Sequence, residues 1–340
     1  MRTPNSKQPI LITGAMGQLG SELVPALIRR YGPGSVIATD IRHPETGHGS
    51  TAVFGDAEVE FRVLDCVDPQ QVGHVATDVK PSVIFHLAAL LSAVAERRPQ
   101  LAWQVNAQGT FNVLEAARET GARVFVPSSI AAFGPSTPRD GTPQETLQRP
   151  DTIYGVTKVT GELLCDYYHS RFGVDTRGLR FPGLISHVAE PGGGTTDYAV
   201  EIFRDALRYS SYQCFLAEDT RLDMMYMPDA IRAVLELMEA DPERLRHRNA
   251  FNVTAFSCTP GELAAEIRQH MPEFTLRCEV DPVRQGIAES WPRSMDDSEA
   301  RSQWGWRHEY GLAETAADML AHLRPRVARE PHLSHGAAGG

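Results

Sequence analysis

Tyr154 and Lys158 stand four residues apart in YGVTK, ahead of a helical pattern that runs on through Gly161, Leu163, Leu164 and Tyr168. On a helix that spacing puts both side chains on one face. A free phenol has a pKa of roughly 10, and a neighbouring ammonium favours the phenolate. The pair therefore suits a tyrosine base that takes the proton of an alcohol. The same spacing also occurs as a plain surface pair. Ser129 closes an apolar run at residues 124–127. Its hydroxyl can hold a reacting oxygen or simply cap a loop.

The stretch ILITGAMGQLG, residues 10–20, gives this trio its context. Ile10, Leu11 and Ile12 read as a buried strand. Gly14, Gly17 and Gly20 follow at three-residue spacing, and Leu19, Leu23, Ala26 and Leu27 open a helical pattern. In such a unit the first glycine permits the tight turn. The second lets backbone approach a pyrophosphate, and the third lets helix pack on strand. The anion then sits at a helix N-terminus. Gly14, Met16, Gly17, Gln18, Leu19 and Gly20 are the expected contacts. Without a ligand the same glycines make a tight strand-to-helix turn.

Residues 35–39 form a second short strand ending at Asp40, twenty residues past Gly20. A carboxylate there accepts both ribose hydroxyls of an adenosine and repels a 2′-phosphate. NAD is therefore expected rather than NADP, with Ile41 and Arg42 alongside. Arg42 is the residue at odds with this, since an arginine nearby can hold that phosphate. An oxidised nicotinamide would add to Lys158 in favouring the Tyr154 phenolate.

The rest of the first half alternates strand and helix. Residues 43–56 have loop composition. Strand 60–64 ends at Asp65 and Cys66, near an adenine edge. Helix 67–79 leads to strand 82–87, and Leu87, Ala88 and Ala89 at its end leave room for a nicotinamide ribose. His86 reads as a packed residue. A long amphipathic helix over 101–119 carries Asn106, and 131–150 reads as an active-site loop. The alternation predicts an α/β Rossmann-like, doubly wound parallel sheet with a smaller C-terminal substrate-binding lobe. The sheet domain is placed at 1–186 with a return at about 222–255. The lobe takes 187–221 and 256–328, and an unstructured tail covers 329–340.

Composition excludes several classes. The net charge of -10 argues against a nucleic-acid partner. The five cysteines show no paired or metal-like spacing, so no metal site is expected and a reducing, cytoplasmic setting fits. MRTPNSKQ lacks the apolar core of a signal peptide. The longest near-apolar run, 83–95, is too short to span a bilayer.

The glycine pattern of TGAMGQLG, Asp40, HLAA, VPSSIAAFG and YGVTK resemble the extended branch of the short-chain dehydrogenase/reductase family. The resemblance runs from about Ile10 to Leu323. It implies Ser129, Tyr154 and Lys158 as a catalytic triad, with Asn106 supporting a water relay behind the lysine. The serine is counted back from Gly134, which selects Ser129 over Ser128. Phe133 departs from the tyrosine usual in that pattern.

RFPGLIS, EPGGGTTDYAVEIF, MMYMPDA, FNVTAFS and SWPRSMDDSEA are similar to the L-threonine 3-dehydrogenase group of that branch. This implies oxidation of L-threonine at C3 by NAD+ to L-2-amino-3-oxobutyrate. It also implies functional coupling to 2-amino-3-oxobutyrate CoA ligase, and a homodimer built through the helices holding Asn106 and Tyr154. Leu184 is a further expected cofactor contact. An amino-acid substrate needs donors for its carboxylate and acceptors for its ammonium. The candidates are Ser92, Ser129, Tyr154, Trp291 and the loop through Gly194, Thr195 and Thr196. That loop offers backbone N–H groups and two hydroxyls, and it can close over the substrate. The competing readings are a nucleotide-sugar epimerase or dehydratase, with Arg221 as a phosphate contact, and a non-catalytic NAD sensor.

Overall fold

A computed structural model describes residues 9–43, 54–55, 57–190 and 192–329. Most of the expected loop at 43–56 and most of the tail therefore lie outside the described residues.

The chain begins β1 (Ile10–Thr13), α1 (Gln18–Tyr31), β2 (Val36–Asp40), β3 (Glu60–Val63), α2 (Pro69–Val79), β4 (Val83–His86). Every residue of β1 is buried, and each large apolar side chain removed from water contributes about 1.5–3 kcal/mol. α2 starts where Asp68 accepts from the Gln70 and Gln71 N–H groups with Pro69 at the first helical position. α3 (Ser92–Arg97) and α4 (Pro99–Ala102) lead into a π-helical segment, Trp103–Gln108, and then α5 (Gly109–Thr120). The helix expected over 101–119 is thus interrupted by a π-turn. Gly109 N–H reaches back to Gln104 O, and the Thr110 hydroxyl takes up the Asn106 carbonyl at 2.6 Å. π-turns of this kind recur at functional sites.

β5 (Arg123–Phe125) and β6 (Ser128–Ser129) precede α6 (Ile153–Phe172), followed by β7 (Thr176–Arg177), β8 (Leu179–Phe181) and β9 (Gly183–Ile185). The strand expected at 176–180 is split. β7 completes a six-stranded parallel sheet of order β3-β2-β1-β4-β5-β7, whereas β8 pairs with β6 in a separate sheet. The break falls at Gly178, where a Cβ would collide with the Val126 carbonyl. In the main sheet Ile12 aligns with Ala38 on one side and Phe85 on the other. α2, α5 and α6 pack together around one core cluster, and α1 and α8 (Met227–Glu239) pack around another. The architecture is the doubly wound α/β fold expected.

The second half adds α7 (Tyr198–Tyr209), β10 (Ser211–Cys214), β11 (Leu222–Tyr226), β12 (Phe251–Asn252), β13 (Phe256–Cys258), α9 (Pro260–His270), β14 (Thr275–Cys278), α10 (Pro282–Ser290), α11 (Ser298–Trp304) and α12 (Leu312–Val327). β11 runs parallel to β9 and antiparallel to β13, and β12 extends the β6–β8 sheet. A third core cluster joins α7, α9 and α12 to Tyr154, Ile130 and Phe133, so the second half packs directly on the catalytic candidates. All five cysteines are free thiols. Among the described residues no helix is long and apolar enough to cross a membrane.

Candidate functional site

The glycine turn is built as the spacing requires. Gly14 has φ +68, and a Cβ there would meet Ala88 N at 2.5 Å, so the turn lies directly against the end of β4. At Gly20 a Cβ would overlap the Ala15 carbonyl, which fixes α1 close to the strand. Gly17 is the N-cap of α1 and supplies no side-chain cap, leaving first-turn N–H groups available to an anion. Asp40 closes β2, and its Oδ2 accepts from Met16 N at 3.1 Å. The acid thereby braces the same turn.

A cavity of about 710 Å³ opens from this turn. One end is lined by Gly14, Met16, Gly17, Gln18, Leu19 and Gly20, with Arg42. Leu87, Ala89 and Leu184 line the middle of the candidate set, together with Tyr154 and Lys158. Ser92, Ser129, Gly194, Thr195, Thr196 and Trp291 border the same space. Cofactor and substrate candidates from residues 14 to 291 thus converge on one cavity, of a size typical of ligand sites. The bare N-cap and Asp40 fit a dinucleotide.

Other expected contacts lie elsewhere. Ala88 and Asn106 line a neighbouring cavity of about 20 Å³. Ile41 points to solvent. Asp65 accepts from Val67 N at 2.9 Å, and Cys66 is buried against Gly109, with burial pushing its thiol up to about 12. Asp40, Asp65 and Cys66 are not among the residues that line the described part of the cavity.

Gly155 explains how Ser129 meets Tyr154. The Ala131 carbonyl and Pro150 Cβ occupy the place of a side chain at Gly155, so the turn after Ser129 packs on the first turn of α6. Thr152 caps that helix by accepting from Gly155 N at 3.1 Å, and Glu96 of α3 accepts from Ile153 N at 2.8 Å. Ser129 stands beside the Tyr154 phenol, where it favours the phenolate. Lys158 Nζ lies 5.4 Å from the Tyr154 ring centroid and donates to the Pro127 carbonyl at 2.8 Å.

Burial pushes the Tyr154 phenol up to about 12, against the lowering effect of Ser129. The ammonium is directed at Pro127, and burial pushes Lys158 itself down to about 8 while Glu162 opposes that shift.

Behind the lysine, Asn106 Oδ1 accepts from Leu90 N at 2.8 Å, and its Nδ2 donates to Leu90 O and Thr157 Oγ1, both at 3.1 Å. His86 is packed, as expected. Thr13 Oγ1 bonds its Nδ1 at 2.7 Å, and burial, with Lys158 nearby, pushes it down to about 3. Ser128 turns away from the cavity centre to donate to Glu162, which forms a buried ion pair with Arg180 at 2.8 Å.

The substrate-side loop differs from expectation. Three of its backbone donors already have protein partners. Gly193 and Gly194 N–H donate to Asp197 Oδ2 at 2.7 and 2.8 Å, and Thr195 N donates to Ser92 Oγ at 3.2 Å. The Thr195 and Ser92 hydroxyls bond each other at 3.1 Å, and both residues are buried. Asp197, unforeseen from sequence, organises the loop and lines the cavity. Its position just before α7, after a glycine run, was an available N-cap signal. Leu91, Val94, Pro182, Gly183 and Glu190 also line the cavity, and only tertiary packing reveals them. Arg221 is engaged elsewhere, by Glu262 and by Ser257 O at 3.0 Å.

Comparison with known proteins agrees with this geometry. Residues 10–254 match the model of the NAD dependent epimerase/dehydratase family. An uncharacterised epimerase/dehydratase of Staphylococcus saprophyticus is 52% identical over 311 residues, spanning 92% of this chain and 95% of that protein. The X-ray structure of L-threonine dehydrogenase from Clostridium difficile superposes with a TM-score of 0.90 at 51% identity, covering 94% of this chain and 98% of that one. A GalE-like L-threonine dehydrogenase from Cupriavidus necator, in its holo form, gives 0.87 at 50% identity over 93% and 99%. The chain belongs to the NAD dependent epimerase/dehydratase family, and its cofactor is NAD.

Proposed function

We propose that this protein oxidises L-threonine at C3 to L-2-amino-3-oxobutyrate. The observation that carries the reading is the convergence of Ser129, Tyr154 and Lys158 on a cavity shared by the glycine turn and the Ser92–Thr195 pair. NAD+, when bound, supplies the acceptor for the hydrogen and electron pair leaving C3. Gly14, Gly17 and Gly20 with the α1 N-terminus would hold its pyrophosphate, and Asp40 its adenosine ribose. Tyr154 takes the proton of the C3 hydroxyl, so that the C3–H and O–H bonds break as the carbonyl forms. Ser129 donates a hydrogen bond to the reacting oxygen. Lys158 holds positive charge beside the phenol. Asn106 positions the Leu90 backbone against α6, and the 20 Å³ space beside it has room for the one water of a relay.

Residues 1–186 and about 222–255 would serve the cofactor, with the remaining second-half segments serving the substrate. The solved relatives named L-threonine dehydrogenase support the substrate. So does the cavity. Its only described Lys or Arg residues are Arg42 and Lys158, and Arg221 is held by Glu262, which disfavours a nucleotide diphosphate. The test is reduced-nicotinamide absorbance on mixing protein, NAD+ and L-threonine. L-Serine, lacking one methyl, should bind more weakly by about 1 kcal/mol, and D-threonine should fail. Turnover of nucleotide sugars with no response to L-threonine would replace this reading with the epimerase one.

A further inference from the structure

His187 follows β9, while Asp318 and His322 stand one turn apart on α12. One ligand atom of each lies within 4.8 Å of the others, and none of the three lines the large cavity. Their hydrogen bonds fix which ring nitrogens are free. Tyr226 donates its single hydroxyl proton to Asp318 Oδ2 at 2.6 Å, because a carboxylate can only accept. Its contact with His187 Nδ1 at 2.8 Å must then be made by an Nδ1–H. With hydrogen on Nδ1, the lone pair of the neutral ring lies on Nε2. His322 Nδ1 meets the Asp318 carbonyl at 3.0 Å and lies 3.3 Å from Asp318 Oδ2, which places hydrogen on Nδ1 and the lone pair on Nε2. The two rings stack at 4.2 Å and 20°.

Metal-binding histidines are held in this way, with one ring N–H tied to a carbonyl or a carboxylate-linked partner and the other nitrogen left to ligate. Two imidazoles and a carboxylate suit an ion of the zinc class. Such an ion needs ligand atoms about 3.4 Å apart, so the three side chains must draw together and the stacked rings must turn to aim both Nε2 lone pairs at one point. Arg326, which donates to the His187 carbonyl, opposes a cation here, and Asp318 and Glu22 offset it. We infer that His187, Asp318 and His322 form a binding site for one divalent transition-metal ion, with its fourth position open to solvent. The ion ties α12 to the segment that continues into Ala189 and Glu190 at the wall of the large cavity.

The test uses the full chain, stripped with chelator and titrated with Co2+, whose visible absorption reports tetrahedral ligation. One equivalent should bind with these bands. His322→Ala and His187→Ala should abolish them, and Tyr226→Phe should weaken binding by roughly tenfold to a hundredfold, as loss of an outer partner does. Cys278→Ser should leave them unchanged, which excludes the one exposed thiol. Circular dichroism and NAD+ binding confirm that each variant is folded. His322 is largely exposed, so its variant stands even if His187→Ala misfolds. Absence of bands in the wild type, their survival in His322→Ala, or their loss in Cys278→Ser overturns the site.

Discussion

Lys158 Nζ sits 5.4 Å from the centre of the Tyr154 ring yet donates to the Pro127 carbonyl. The ammonium is thus placed beside the ring while bonded to backbone. Tyr154→Phe keeps the ring and removes the base, so turnover should fall about 10³-fold while NAD+ still binds. Ser129→Ala removes one hydrogen bond and should cost about tenfold to a hundredfold. The phenol, pushed up to about 12 by burial, must ionise to act, so the wild-type rate should rise with pH. Lys158→Met removes the charge that favours the phenolate and should move the rising limb to higher pH. Steady-state rates against pH check all four.

Asp40 has two tasks that a single variant separates. Asp40→Asn can still accept from Met16 N but loses the negative charge. NAD+ should bind about tenfold to a hundredfold more weakly, the range of a hydrogen bond to a charged group, and the preference over NADP+ should narrow. Equal wild-type efficiency with both cofactors would contradict this role for Asp40.

Glu162 of α6 forms a buried pair with Arg180 of β8 and also receives Ser128 and Gln148. Arg180→Met strands the carboxylate and should destabilise the fold by about 3–5 kcal/mol, whereas Glu162→Leu with Arg180→Met should recover much of that loss. Urea unfolding measures both.

Trp103, Phe111, Leu163, Tyr167 and Phe172 are large exposed apolar side chains on the helices that carry Asn106 and Tyr154. Exposed apolar patches favour interfaces, and we expect a two-fold partner to cover these side chains. Sedimentation should show a dimer, and Phe111→Glu with Leu163→Arg should give a monomer.

Much of the site was legible because its geometry is local. Gly14, Gly17 and Gly20 act within one turn, and Tyr154 and Lys158 lie on one helix face. Ser129 could be chosen over Ser128 only by its distance from Gly134 in the pattern of the resembled family, since both serines end the strand. What escaped the sequence is set by tertiary contact. The split at Gly178 depends on the distant Val126 carbonyl. The π-turn at Asn106 depends on where Thr110 can bond. Asp197 takes the N–H groups of Gly193 and Gly194 that a glycine-rich loop otherwise offers a substrate. Tyr154 shifts upward because burial outweighs its neighbours, and burial at a single residue is not written in its spacing to a lysine.

The central claim is that Tyr154 acts on the C3 hydroxyl of L-threonine as hydrogen leaves that carbon. L-Threonine carrying deuterium at C3, incubated with NAD+ and the protein, tests this directly by mass analysis of the reduced cofactor. One deuterium in the reduced nicotinamide, formed by wild type and nearly absent with Tyr154→Phe, is the predicted result. Reduced cofactor without deuterium, or none formed at saturating NAD+ and L-threonine, would contradict it.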